Sequence, residues 1–147
     1  MRSPGPSSAG APSQIAQIPA NTTVVPGGFF LLTNTGTCGY SGKVAADLTY
    51  TGGIDDNGGI ALLDASSQMV DQVGMSAGTA YFETTPLAPM TFNVNQSYER
   101  NNGGCYPDHD TDNNLSDFRL NGSVSYAKDS ASNCTSCLDV ISAPNAK

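Results

Sequence analysis

The sequence predicts an all-β protein, and three observations carry that expectation. Apolar residues fall in short runs of strand length. The runs are bounded by turn formers, with 16 glycines and 9 prolines in 147 residues. Long helices are not expected in a chain so often punctuated. The length suits one domain with one modest core, and six or seven short strands fit two stacked sheets, a β-sandwich.

Each element follows in order. Residues 1–13 are rich in Pro, Gly, Ser and Ala and read as a loosely ordered segment. "SQIAQIP" (13–19) alternates polar and apolar residues and ends at Pro19, as a strand would. After the "PGG" turn, "FFLLTN" (29–34) is too short for a helix and reads as a buried strand. "VAADLTY" (44–50) fits either a helical turn or a strand. "IALLDASSQMVDQVG" (60–74) is two apolar arms around "DASSQ", a hairpin with Ala61, Leu62 and Leu63 in one arm and Met69, Val70 and Val73 in the other. Pro86 and Pro89 keep "TTPLAPM" irregular. "QSYERN" (96–101) and "DFRLNGS" (117–123) read as the closing strands, with an Asp-rich loop between them. Residues 124–147 form a polar tail.

With 6 basic and 13 acidic residues, the net charge is −7. That balance disfavours nucleic acid and anionic membranes, which are bound through Lys and Arg, and no apolar run reaches membrane-spanning length. Cys38, Cys105, Cys134 and Cys137 all sit among Gly, Ser, Thr and Asn, a placement that fits disulfides in an oxidising compartment. "CTSC" (134–137) could be a zinc half-site, yet it lacks a second ligand pair at matching spacing. "MRSPGPSSAGAPSQ" has no hydrophobic segment behind Arg2 and does not read as a signal peptide. The Asn-x-Ser/Thr triplets at Asn21, Asn95, Asn114, Asn121 and Asn133 are of a number that chance supplies in so Asn-rich a chain.

Four stretches, "GGFFLLTN", "GGIALLDASSQMVDQVG", "SYERNNGG" and "DTDNNLSDFRL", resemble in order and spacing the lamin-tail domain of bacterial secreted proteins. That family shows a "PGGYLLL"-like strand, an "ALLDA…VVDSVG" hairpin and "SLERK…GG…DTDNNAADF". The resemblance covers about residues 14–123 and implies an immunoglobulin-like β-sandwich. Nothing matches the family's opening "INEV…EYIELYNP…LSGW" strands. The expectation is therefore a domain lacking its first strands, with a signal peptide upstream and exposed strand edges open to self-association. The resemblance also favours a Cys105–Cys134 disulfide, which would pin the tail across the Asp-rich loop and contribute roughly 3–4 kcal/mol. It leaves Cys38 and Cys137 unassigned. Three connectivities are possible for four cysteines, one of them joining Cys134 to Cys137.

The Asp-rich loop has two readings. In one, Asp112, Asn113 and Asn114 make side-chain-to-backbone turns and Asp117 closes the loop. In the other, Asp108, Asp110, Asp112, a backbone carbonyl near Asn114, and Asp117 gather around calcium, a hard cation wanting six to eight oxygens. The loop is no EF-hand: Asp108, Asp110 and Asp112 fit positions one, three and five, but position six is Asn113 and position twelve is Arg119. Catalysis has less to stand on. His109 is the sole histidine, set between two aspartates on a polar loop, and Glu83 and Glu99 show no apolar context that would tune a carboxylate pair. The expectation is a non-catalytic extracellular or cell-surface module that binds or anchors a protein or surface component beside exported hydrolases. The alternatives are a calcium-stabilised recognition module for glycan or protein, and a hydrolase using His109 with its neighbouring aspartates.

Overall fold

The computed structural model describes residues 2–3, 12–37, 39–91, 96–101, 110–122 and 127–132. The protein is all-β: the described residues form eight short strands and one helical turn, in the order β1 (Arg2–Ser3), β2 (Ser13–Gln14), β3 (Leu32–Asn34), β4 (Leu48–Tyr50), β5 (Gly59–Leu63), β6 (Met69–Gly74), β7 (Ser97–Arg100), α1 (Asn114–Asp117) and β8 (Phe118–Asn121). They form a four-stranded sheet in the order β2-β1-β5-β6 and two pairs, β3-β4 and β7-β8.

The hairpin forms as its pattern predicts, because Asp64 organises the turn. Its Oδ1 accepts the Ser66 and Gln68 amides, each at 2.8 Å, an Asx turn that reverses the chain without glycine. The arms pair antiparallel from Gly59↔Gly74 through Leu62↔Asp71, then shift so that Leu63 meets Met69. This bulge leaves Val70 outside the ladder. Val70 is accordingly 60% exposed and Met69 47%, while Val73, within the ladder, is half-buried.

Two strand expectations need correction. "SQIAQIP" keeps strand geometry only at Ser13–Gln14, because the partner strand β1 is itself two residues long. β1 falls within the segment read as loosely ordered, where Arg2 pairs with both Gln14 and Ala61. "FFLLTN" becomes a strand only from Leu32, and Phe29 and Phe30 precede it half-buried. β3 lies parallel to β4, Leu32 opposite Leu48, with residues 35–47 as the crossover that parallel strands require. A two-stranded unit leaves its faces partly open, so Thr33 is the residue of this run that is buried. Lys128 places its ammonium 4.4 Å from the centre of the Phe29 ring. Asp47 accepts the Leu31 and Ser130 amides and the Ser130 hydroxyl, so residues 127–132 are held against β3. Those bonds, the Ser130 hydroxyl foremost, lower the Asp47 pKa.

Among the described residues, Ala61 and Leu87 are the buried apolar side chains, while the largest fully buried ones are Asn114 and Asp117. The centre of the fold is thus polar and hydrogen-bonded, and both of those residues come from the Asp-rich segment.

Candidate functional site

Three pieces of chain meet at the Asp-rich segment. Residues 75–90 fold back over the hairpin, fastened where the Met75 amide donates to the Gly58 carbonyl and the Leu87 amide to the Gly74 carbonyl, each at 2.8 Å. This brings Glu83 to the end of β6. β7 supplies Arg100, which is opposite Phe118 in β8. The turn before α1 supplies Asp110 and Asp112.

Asn114 locks these pieces together. Fully buried, its Oδ1 accepts the Gly74 amide at 3.0 Å and the Glu83 amide at 3.1 Å. Its Nδ2 donates to the Gln72 carbonyl at 3.0 Å and to Glu83 Oε2 at 2.8 Å. Asp117 closes its own loop: Oδ2 accepts the Thr111 and Asn113 amides, and Oδ1 the Thr111 hydroxyl. Burial opposes ionisation of Asp117. The Thr111 and Asn113 bonds, aided by Arg100, outweigh it and hold the carboxyl below its ordinary range.

Asp110 and Asp112 face the opposite way and meet Glu83. Carboxylate oxygens of Glu83, Asp110 and Asp112 all lie within 4.8 Å of one another. Asp112 reaches this position through a left-handed backbone, φ 54°, which Asp tolerates better than most residues. Arg100 is the local counter-charge. Its guanidinium lies 4.6 Å from the centre of the Phe118 ring, with Nη2 3.3 Å from Asp71 and Nη1 3.4 Å from Asp110. One cation does not neutralise Asp71, Glu83, Asp110 and Asp112 together. Burial, then Asp71 and Asp110, and more weakly Asp112, push the Glu83 carboxyl up to about 7, against the pull of Arg100.

Of the residues the sequence singles out, the structure brings Asp110 and Asp112 into one cluster and turns Asn114 and Asp117 into the scaffold beneath it. The Asn114 backbone carbonyl accepts the Phe118 amide. Asp108, His109, Cys38, Cys105, Cys134 and Cys137 lie outside the described residues. Asp71 and Arg100 are not singled out by the sequence, and Glu83 is considered there only with Glu99, as a carboxylate pair without apolar context, not as a partner of Asp110 and Asp112. Nothing near them in sequence marks them, because their place depends on long-range folding. The Asn-x-Ser triplet at Asn114 is closed to modification in the folded chain, since that side chain is buried and fully engaged. Among the described residues no helix is long and apolar enough to cross a membrane.

Comparisons with protein-family models, curated proteins and solved structures return no match to this chain.

The Glu83 shift carries a pH dependence of definite sign. A carboxyl whose pKa rises from 4.5 to about 7 on folding makes the folded state bind more protons. Its contribution is full below 4.5 and is lost as pH climbs through 7. The whole shift would correspond to about 3 kcal/mol. Because Glu83 is only half-buried, we expect about 1–2 kcal/mol less stability near pH 8 than near pH 5. Asp117, with its lowered pKa, acts in the opposite sense, and its contribution disappears at strongly acidic pH. Glu83→Gln keeps an oxygen to accept from Asn114 and should flatten the profile between about pH 5 and 8. Urea titrations across that range in EDTA check this, and an unaltered slope in the variant would refute the assignment.

Proposed function

We propose that this chain is a non-catalytic binding or anchoring module of the lamin-tail kind. On this reading it is an immunoglobulin-like sandwich exported by a bacterium, working at the cell surface or outside the cell beside hydrolases or surface proteins. One observation carries the proposal. Three of the four segments that bear the resemblance meet at one place, the hairpin, β7 and the "DTDNN" stretch, with that motif supplying a buried polar centre through Asn114 and Asp117. A motif so placed makes a scaffold. The acidic surface, the net charge of −7 and the loop cysteines favour an extracellular setting and a protein or surface partner over nucleic acid. The test is a binding assay of the purified chain on isolated bacterial cell envelopes, run beside turnover assays on model esters, phosphodiesters and glycosides. Saturable binding without turnover is the expected result. Turnover that disappears in His109→Ala or Glu83→Gln would make the protein an enzyme instead.

A second reading is favoured by the cluster of Glu83, Asp110 and Asp112. Calcium holds its oxygens at about 2.3–2.6 Å, so ligands on opposite sides of the ion stand up to roughly 5 Å apart. The spacing of 4.8 Å or less admits that ion, whereas magnesium demands a stricter octahedral geometry and gives up its water reluctantly. Calcium would also relieve the repulsion that raises Glu83. A weak site of the extracellular class, Kd about 1 mM, predicts about 1.4 kcal/mol of stabilisation in about 10 mM calcium. That is a rise in melting temperature of roughly 2–5 °C, absent with magnesium and abolished in Glu83→Gln. A melt that does not respond to calcium leaves Asp110 and Asp112 as a solvated turn.

A further inference from the structure

Among the described residues, four that are not glycine have a left-handed backbone: Asn21, Ser67, Thr84 and Asp112. Asn and Asp tolerate that region best, whereas a β-branched residue is strained in it. Thr84, at φ 41°, is the β-branched one, and it is exposed, so burial of its side chain does not hold it there. What holds it lies on either side. Glu83 is fastened to Asn114 three times: its amide donates to Asn114 Oδ1 at 3.1 Å, its carbonyl accepts the Asn114 amide at 3.3 Å, and its Oε2 accepts from Nδ2 at 2.8 Å. The Thr85 carbonyl accepts the Leu115 amide at 3.0 Å. Adjacent residues of α1, whose Cα atoms stand about 3.8 Å apart, thus engage residues 83 and 85, which an extended chain would separate by about 6.7 Å. The left-handed residue between them shortens that span. Strain at Thr84 is a consequence of docking on α1.

We propose that residues 83–85 act as a loaded catch. While α1 is docked, Thr84 is held left-handed and Glu83 meets Asp110 and Asp112. When α1 lifts away, Thr84 relaxes to extended backbone and Glu83 leaves the cluster. The acidic cluster is assembled and dismantled by this one local movement, with the β5–β6 hairpin still formed. A ligand that needs all three carboxylates closes the catch by binding. The device does not depend on what the cluster binds, so its failure would leave the cell-envelope binding proposed above intact.

Amide hydrogen exchange of the full chain in EDTA tests this. The Gly74, Glu83, Asn114 and Leu115 amides are all bonded across the junction. They should share one opening, at least about tenfold more populated than that of the β5–β6 ladder amides. Dilute urea should barely change it, because a small movement exposes little surface. Thr84→Asn, which tolerates the left-handed region, should slow all four about tenfold by removing the strain that opening relieves. Thr84→Val, branched like threonine, should leave them unchanged. Should Thr84→Asn lose its β signal by circular dichroism, Thr84→Gly carries the same test. Exchange of the four at the ladder's rate, or with the ladder's urea dependence, would show that the junction opens only when the hairpin unfolds and would overturn the proposal. So would rates in Thr84→Asn that match those of the parent chain.

Discussion

Asn114→Ala is expected to destabilise the protein by roughly 3–5 kcal/mol, enough to unfold much of a domain with typical stability. The alanine removes every partner of a buried hub. The Gly74 and Glu83 amides lose an acceptor, and the Gln72 carbonyl and Glu83 Oε2 lose a donor. Each buried group left unpaired costs about 1–3 kcal/mol, and a cavity adds to the sum. Asn114→Asp sharpens the case, because its shape is conserved. Aspartate still accepts from the two amides, yet it sets a carboxylate against Glu83 Oε2 and the Gln72 carbonyl. Its cost should therefore be greatest near pH 8 and should shrink toward pH 5, as Glu83 takes up a proton. Adding Glu83→Gln, whose side-chain amide can donate, should recover part of the loss. Urea denaturation of the two singles and the double gives the coupling directly. A loss below about 1 kcal/mol for Asn114→Ala would mean that water replaces the side chain, and that the segments are held by other contacts.

What the sequence discloses about this fold depends on how far apart the interacting residues are. The β5–β6 hairpin is legible because its turn is encoded next to its strands: Asp64 accepts from Ser66 and Gln68, two and four residues on. Asp117 is legible as the residue closing the loop for the same reason, since its donors are Thr111 and Asn113. Asn114 is not. Among the Asx residues of a polar loop it looks like one more turn former, while its partners lie 31 to 42 positions away. The string Asp110-Thr111-Asp112-Asn113-Asn114 is read by the fold in two directions. Asp110 and Asp112 face outward to Glu83, and Asn114 faces inward. A local template such as an EF-hand loop cannot anticipate that division. The parallel pairing of β3 with β4 is equally hidden, because nothing in "FFLLTN" names a parallel partner, and apolarity alone overstates how deeply Phe29 and Phe30 are buried.

Gly74→Val is expected to cost roughly 2–4 kcal/mol, for a reason unlike that at Asn114. Gly59 and Gly74 are directly paired across the hairpin, and residues 79–82 cross over both. A Cβ at Gly74 would collide with the Tyr81 carbonyl oxygen and lie 2.6 Å from Phe82 Cβ and 2.8 Å from Thr79 Cγ2. Two of these neighbours are backbone or Cβ atoms and cannot swing aside. They would move only with the crossing segment that delivers Glu83, and Gly74 itself is bonded to Asn114 and Leu87. The substitution therefore strikes fold and site together. In the variant the Glu83 contribution should fade along with stability, so its pH dependence between about pH 5 and 8 should flatten. Gly53→Ala is the control, because a Cβ there meets nothing within 4 Å. Its effect should stay within about 1 kcal/mol, in the direction of greater stability, because alanine restricts the unfolded chain. Equal losses at the two glycines would show that hairpin stiffness, and not the close crossing of residues 79–82, sets the requirement. A large loss at Gly74 alone would show that two facing glycines create the room in which the acidic cluster is assembled.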